Sequence, residues 1–253
     1  AGVVRRSDLL QRVTVVGTVV PKRRTVITAP YNGYVRKLFV KVGDQVKQGD
    51  PVVSISQSLA ATDPVYPIRA PFSGTVVQVE KGEGEFVKEG ETNDFVLRID
   101  DLSSLFVTAD VAEIDRTKVA AGREATMRAA SVLSRTYKGL VKDVALAARD
   151  NAQKESSQVV FGMRIEILDP DADLRPGISM VVDILAEEKR DVLTLRHEFV
   201  LREKGKHFIF LADSSKRPIE VGTQNDEEVE VLSGVAEGAR VRQVDYTRIG
   251  GSE

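Results

Sequence analysis

The sequence predicts a mostly β chain, with several small sandwiches or barrels in series, and three observations predict it. Apolar residues alternate with polar or small ones: Phe161, Met163, Ile165 and Ile167 are interleaved with Gly162, Arg164 and Glu166, the period of a half-buried strand. Short β-branched runs are separated by Gly, Pro, Asp and Asn, the residues of turns. One stretch of the chain also occurs twice, at a single offset.

Taken in order, the first strand is expected around Val13–Val20, where Val13, Val15, Gly17 and Val19 alternate with other residues, less cleanly because of Val16 and Val20. Strand-forming runs follow at Val52–Ile55, Thr75–Val79 and Phe95–Ile99, and later at Val181–Leu185, Phe208–Leu211 and Val229–Leu232. The best helical candidate is Val111–Ala120, with Glu113 early, Ile114 and Val119 apolar, and Gly122 as a stop.

The repeated stretch is Ala29-Pro30-Tyr31-Asn32-Gly33-Tyr34-Val35, which returns 41 residues later as Ala70-Pro71-Phe72-Ser73-Gly74-Thr75-Val76. At the same offset Gly43 matches Gly84, Asp44 matches Glu85, Val46 matches Val87, Lys47 matches Lys88 and Gly49 matches Gly90. Two copies are fewer than a solenoid needs. The physical reading is two half-sheets facing each other about a pseudo-twofold axis. Pro30 and Pro71 fix the entry of each strand. Gly33, Gly43, Gly74 and Gly84 supply turns that a side chain would strain, with Gly33 and Gly74 in matched left-handed positions.

Composition narrows the function. The 253 residues suffice for two to four domains, and 42% hydrophobic content supplies their cores. A net charge of −2 gives no electrostatic case for nucleic acid. Cysteine is absent, which excludes disulfides, zinc–thiolate sites and cysteine nucleophiles. No run approaches the ~18–20 apolar residues of a membrane helix. The chain begins at Ala1 without a signal-peptide pattern and reads as the mature or trimmed soluble part of a longer product. Residues 1–24 carry Arg5, Arg6, Arg12, Lys22, Arg23 and Arg24 against Asp8 alone; a solvated surface strand is the plainer reading, a membrane-facing one the alternative.

Catalytic signals are lacking. No Gly-x-Ser-x-Gly, phosphate-loop or His-Glu-x-x-His pattern occurs. His197 and His207 lie among strand-like residues and read as ordinary strand or surface histidines. Gly82-Glu83-Gly84-Glu85 is glycine-rich but acidic, without the Lys-Ser/Thr of a phosphate cradle. Met127, Met163 and Met180 read as core fillers rather than clustered soft-metal ligands. Neither an enzyme nor a bound cofactor or metal is expected.

Two halves of the form Ala-Pro-x-x-Gly-x-Val, then a Gly-Asp/Glu turn, then Val-Lys-x-Gly, resemble a biotinyl/lipoyl-type domain. In carriers of that type a lysine between the halves holds biotin or lipoate. In periplasmic adaptors, or membrane fusion proteins, the same place opens into a long helical hairpin. No lysine lies between Lys47 and Lys81, so the carrier reading has no attachment point. The connector from Ser56 to Ile68 has thirteen residues and two prolines, too short and too interrupted for a hairpin. The chain is therefore similar to an adaptor of a form lacking the hairpin, whether by nature or by trimming. Leu174-Arg175-Pro176-Gly177-Ile178-Ser179-Met180 is similar to a Leu-Arg-Pro-Gly-Met-Ser segment of adaptor β-barrel domains, and Leu105–Asp115 and Tyr137–Val141 fall where that barrel's opening strands would. Val192–Leu201, Lys206–Leu211, Glu220–Gly222, Val229–Gly234 and Gly238–Val241 resemble a membrane-proximal domain.

The resemblance implies a biotinyl/lipoyl-like β-sandwich at 25–100 and a six- or seven-stranded β-barrel at 101–188 with a short helix near Ile114–Val119. It also implies a membrane-proximal β-domain made of 1–24 plus 189–253. It implies a periplasmic, non-enzymatic adaptor of an export system, anchored to the inner membrane through a segment N-terminal to this chain. Its partners would be an inner-membrane transporter of ABC or resistance–nodulation–division type and further copies of itself in a ring. An outer-membrane channel would be met, if at all, by a contact that uses no hairpin. The alternatives are a biotin/lipoate-type carrier and a metal-handling adaptor. Pro30, Gly33, Gly43, Pro71, Gly74, Gly84, Pro176 and Gly177 are expected to be structural. In related adaptors, the resemblance implies, the second-half turn points into the ring's channel as a gate. Here that turn is Glu83, Gly84 and Glu85, whose converging carboxylates would favour cationic or neutral cargo. On the plainer reading both glutamates are exposed turn residues.

Overall fold

A computed structural model describes residues 2–58, 60, 66–129, 132–150, 159–171 and 173–244. The β-branched runs become strands: β1 Gly2–Val3, β2 Arg5–Ile27, β3 Gly33–Leu38, β4 Gln45–Val46, β5 Pro51–Ser56, β6 Ile68–Arg69, β7 Gly74–Val79, β8 Phe86–Val87 and β9 Leu97–Ala112. A 3-10 turn over Glu113–Lys118 leads to β10 Glu124–Ala129, β11 Val132–Val144, β12 Arg149–Asp150, β13 Val159–Ile167 and β14 Ser179–Arg196. A second 3-10 turn, His197–Phe199, precedes β15 Leu201–Glu203, β16 Lys206–Leu211, β17 Lys216–Gln224, β18 Glu228–Ser233 and β19 Arg240–Arg242. Their apolar faces form three separate cores.

The first core belongs to the repeat. One layer is β6-β5-β3-β8; the other is the end of β2 with β9, β7 and β4. Each half hydrogen-bonds to the other through the same atoms. Gly43 N donates to Val76 O (2.8 Å) and Gly84 N to Val35 O (2.7 Å); Val76 N donates to Asp44 O and Val35 N to Glu85 O, both 2.9 Å. Gly49 N bonds Ala70 O and Gly90 N bonds Ala29 O. β4 pairs with β7 as Gln45↔Thr75, and β8 pairs with β3 as Tyr34↔Phe86. Val35 and Val76, equivalent in the repeat and both fully buried, belong to one core with Ile55 and Ile99.

Gly43 and Gly84 adopt φ of +97° and +89°, as turn glycines do. Gly33 and Gly74 do not, and here the structure corrects the sequence reading. Both begin extended strands, and what demands glycine is backbone approach: a Cβ on Gly33 would stand 2.5 Å from Ser56 O, and one on Gly74 would stand 2.7 Å from Asp100 O. The pattern Gly-x-Val marks where two strands touch, not where the chain turns left-handed.

The second core is a closed antiparallel barrel of six strands in the order β2, β14, β10, β11, β13, β9 and back to β2. Alternation sets its inside: Ala125, Met127 and Ala129 of β10 and Met180, Val182, Ile184 and Ala186 of β14 are buried, while Glu124, Thr126 and Arg128 are exposed. Met127, Met163 and Met180 all lie in this core, as core fillers do. The turn before β14 is stitched to β2, with Gly177 (φ +99°) donating to Val19 O and Val19 N to Ile178 O. Asp171 holds the same turn by accepting from Leu174 N, Asp173 N and the Tyr137 hydroxyl, each at 2.9 Å.

One expectation fails here and another is narrowed. Residues 1–24 do not share one module: Val13 and Val19 are in the barrel core, and Val13–Thr18 pairs with β14 while Gly17–Pro21 pairs with β9. Residues 101–188 therefore do not close a barrel alone; β2 is the strand that closes it. The helix sought in Val111–Ala120 is present only as a 3-10 turn over Glu113–Lys118, one residue off the expected Ile114–Val119 and not an α-helix. β9 runs through Ala112, and the 3-10 turn leaves Ile114 81% exposed while Val111 and Val119 enter the core from either side. With Ile114 outside, no apolar helical face exists.

The third core gathers Val4, Leu195, Phe199, Val200, Ile209, Ile219, Val229, Val231 and Val241, with sheet order β1-β19-β16-β17-β18-β14. β14 leaves the barrel and enters this sheet unbroken, pairing with β2 from Ser179↔Thr18 to Thr194↔Arg5.

Candidate functional site

The acidic turn lies on the repeat module. Gly84 has open space around its Cα, and Glu83, Gly84 and Glu85 are all exposed. Glu83 is not wholly free: one carboxylate oxygen accepts from Leu38 N at 2.9 Å, tying the turn to the end of β3. Beside it Lys81 pairs with Asp94 at 2.7 Å. That hydrogen bond raises the Lys81 ammonium above its ordinary range against the effect of burial, and the charges of Asp94, Glu85 and Glu80 add to it. Glu80, Glu85 and Asp94 thus all act on the one ammonium of Lys81 beside the turn.

The twin turn differs in chemistry. Asp44 caps it locally by accepting from Lys41 N at 2.9 Å, and Val42 stands where Glu83 does, 58% exposed. The repeat also breaks where aromatic rings meet solvent. Phe86 replaces Gln45 of the first half, is 47% exposed, and meets Tyr34 edge-on at 5.3 Å between centroids. Phe39 replaces Glu80 of the second half, with Lys37 5.3 Å over its ring. These exposed rings, Phe86 three residues after Glu83 and Phe39 just past the Leu38 N that Glu83 holds, escaped the sequence reading. The signal was present in the mismatches between the two copies, since a position that departs from its twin toward an exposed ring is not serving the shared core.

Four of the basic residues near the N-terminus are partners of acids, two beside the third module and two on β9 where it leaves the sandwich. Arg5 pairs with Glu228 (2.8 Å), Arg6 with Asp191 and Glu237, Arg23 with Asp101 (3.1 Å) and Arg24 with Asp100 (3.3 Å). Asp100 is fully buried and also takes Arg98; Arg23 lies 4.8 Å over the Phe72 ring. His197 is exposed with Nε2 on Asn225 O at 2.7 Å, and His207 is half-buried in β16. Pro30, Pro71 and Pro176 lie in the loops before β3, β7 and β14. Among the described residues no group of three or more His, Asp or Glu could hold a metal ion; what the sandwich presents is an acidic turn and exposed rings.

Residues 23–99 match the family described as the RND MFP barrel-sandwich hybrid domain, and residues 105–184 match the YknX-like beta-barrel domain. The macrolide export protein MacA of Escherichia coli O157:H7 is 25% identical over 186 residues, covering 69% of this chain and 47% of that protein. The cation efflux system protein CzcB of an Alcaligenes species is 26% identical, covering 69% of this chain and 32% of that protein. The chain thus spans less than half the length of either. The crystal structure of MacA from Actinobacillus actinomycetemcomitans superposes with a TM-score of 0.80 at 21% identity, covering 97% of this chain and 99% of that one.

Proposed function

Because the chain belongs to the periplasmic adaptor, or membrane fusion protein, family, we propose that it serves as the adaptor subunit of an export system. In this reading it is a non-enzymatic part that joins an inner-membrane transporter to outer parts of the envelope. The observation that carries the reading is the unbroken series of modules: a pseudo-twofold sandwich, a six-stranded barrel and a third β-module, strung on β2, β9 and β14. Such a series holds contact surfaces at fixed separations, which is what a scaffold requires. In this reading the transporter is of the ABC or resistance–nodulation–division type, and the RND MFP description of the matched domain supports the second. The protein works in the periplasm; among the described residues no helix is long and apolar enough to cross a membrane.

In the same reading copies associate into a ring through the sandwich module, the exposed Phe39 and Phe86 covering one another's neighbours, and the Glu83–Gly84–Glu85 turn faces the axis. An outer-membrane channel is reached by a contact that uses no hairpin. The experiment is genetic and biochemical. The gene is deleted in its host, export is measured, and photo-crosslinks from exposed barrel positions such as Thr126 are sought in the transporter encoded beside it. Loss of export restored by the intact gene, with crosslinks to the transporter, is expected. Unimpaired export in the deletion strain refutes the reading.

A further inference from the structure

We infer that the β17–β18 hairpin is a strap that fixes the tilt of the third module on the barrel. The inference goes beyond the adaptor reading, because it concerns the chain by itself. The backbone crosses from barrel to third module twice, in β2 and in β14. A two-stranded ribbon alone is a marginal structure, and this one is interrupted at the crossing. Its register slips between Leu185 and Glu187 and again between Lys189 and Val192, and Asp191 adopts a φ of +53°. Bulges bend a ribbon and break its ladder locally. Apolar packing at the crossing is local: Leu9 is fully buried there but belongs to none of the three cores.

What spans the weak stretch is the hairpin. Glu230 of β18, only 5% exposed, accepts from Lys189 Nζ of the ribbon at 2.6 Å and from Thr223 N at 2.9 Å. The Thr223 hydroxyl donates to Glu187 at 2.9 Å. Farther along, Gln11 Nε2 donates to Gln224 O and Asn225 Nδ2 to Leu10 O, both at 3.2 Å. Every ribbon partner lies at or beside a register slip. Gly222 makes the clasp possible, since a Cβ there would collide with the Glu230 carboxylate. Beyond the hairpin's end a groove of about 930 Å³ separates it from Asp115 and Lys118 of the barrel's 3-10 turn. The strap therefore holds the third module across open space into which that module can swing when released. A buried carboxylate stripped of its cation is strongly disfavoured, so the clasp has one well-defined closed state.

The test is a distance distribution between two spin labels. The chain has no cysteine, so Thr126→Cys on the barrel and Lys206→Cys on the third module, both exposed, give an unambiguous pair. With the strap intact, a single narrow peak is expected. Glu230→Gln and Lys189→Met are each expected to lose that peak to a broad, shifted distribution, while hydrogen exchange at Ile209 and Val241 shows the third core still protected. Lys189 is on the ribbon with its side chain about a third exposed, 32%, so its variant carries the test should Glu230→Gln fail to fold. An unchanged narrow peak in Lys189→Met overturns the inference.

Discussion

Consider an alanine placed at Gly33 and another at Gly84. At Gly84 the added methyl meets nothing within 4 Å, and the only penalty is a φ of +89°; left-handed backbone costs an L-residue about 1–2 kcal/mol. At Gly33 the backbone is extended, but the new carbon would stand 2.5 Å from Ser56 O and 3.2 Å from Ile55 Cγ2, where ordinary contact begins near 3.4 Å. The obstacle is a carbonyl inside a paired strand, so β3 must move off β5. Forcing one extra carbon into such packing costs about 1–3 kcal/mol, and the backbone obstacle puts Gly33→Ala at the upper end, about 3 kcal/mol. Gly74→Ala, 2.7 Å from Asp100 O, should follow its twin to within about 1 kcal/mol. Urea unfolding read by hydrogen exchange at Val35 and Val53 isolates this module, because three cores need not unfold as one. A Gly84→Ala variant less stable than Gly33→Ala would refute the claim that close approach, not turn geometry, selects the Gly-x-Val glycines.

Three further outcomes are expected. Burial resists ionisation of Glu230, yet the hydrogen bonds from Lys189 and Thr223 and the Lys189 charge outweigh it and hold the carboxyl below its ordinary range. A depressed carboxylate stabilises the fold above its unfolded pKa, and that contribution is lost as pH falls through the folded value. Urea midpoints should therefore drop below about pH 4, and Glu230→Gln should flatten that part of the profile; an equally steep profile would contradict it. In the barrel, Met127→Ala should cost about 2–4 kcal/mol by thermal unfolding, while Ile114→Ala, at an 81% exposed position, should stay within about 0.5 kcal/mol. If the acidic turn gates transport, a Glu83→Gln, Glu85→Gln pair will lower export of cations relative to anions in the assembled pump. Glutamine can still accept from Leu38 N, so the turn keeps its shape, and unchanged export of both classes would leave the glutamates as ordinary turn residues.

The sandwich was the most legible part of the chain, because a fixed offset records which residues occupy equivalent places and Gly43 and Gly84 announce their turns. Gly33 and Gly74 show the limit: glycine in sequence does not distinguish a left-handed turn from a crowded strand crossing. The course of β2 was less legible. Val13, Val15 and Val19 reveal alternation, but alternation says only that a strand has two faces. It cannot say that the partner changes from β14 to β9 while the strand continues from one core to the next. The helix expected at Val111–Ala120 shrank to a six-residue 3-10 turn for a related reason, since Ile114 was apolar but unburied. Clasp residues such as Lys189 and Glu230 left no trace, being 41 positions apart in sequence and unremarkable in type.

β2 has 23 residues, about 75 Å of extended chain at ~3.3 Å per residue. It contributes Ile27 to the sandwich core and Val13 and Val19 to the barrel core, and its first residues pair with β14 beside the third. Under tension along this strand the ladder bonds to β9 and β14 would be loaded in shear, many at once, rather than opened one by one. Bending is another matter, since the register slips near Glu187 and Val192 offer a joint there. The molecule is thus stiff as a tether and compliant as a lever, and a pull on one end reaches the other through a single covalent strand with no flexible linker between.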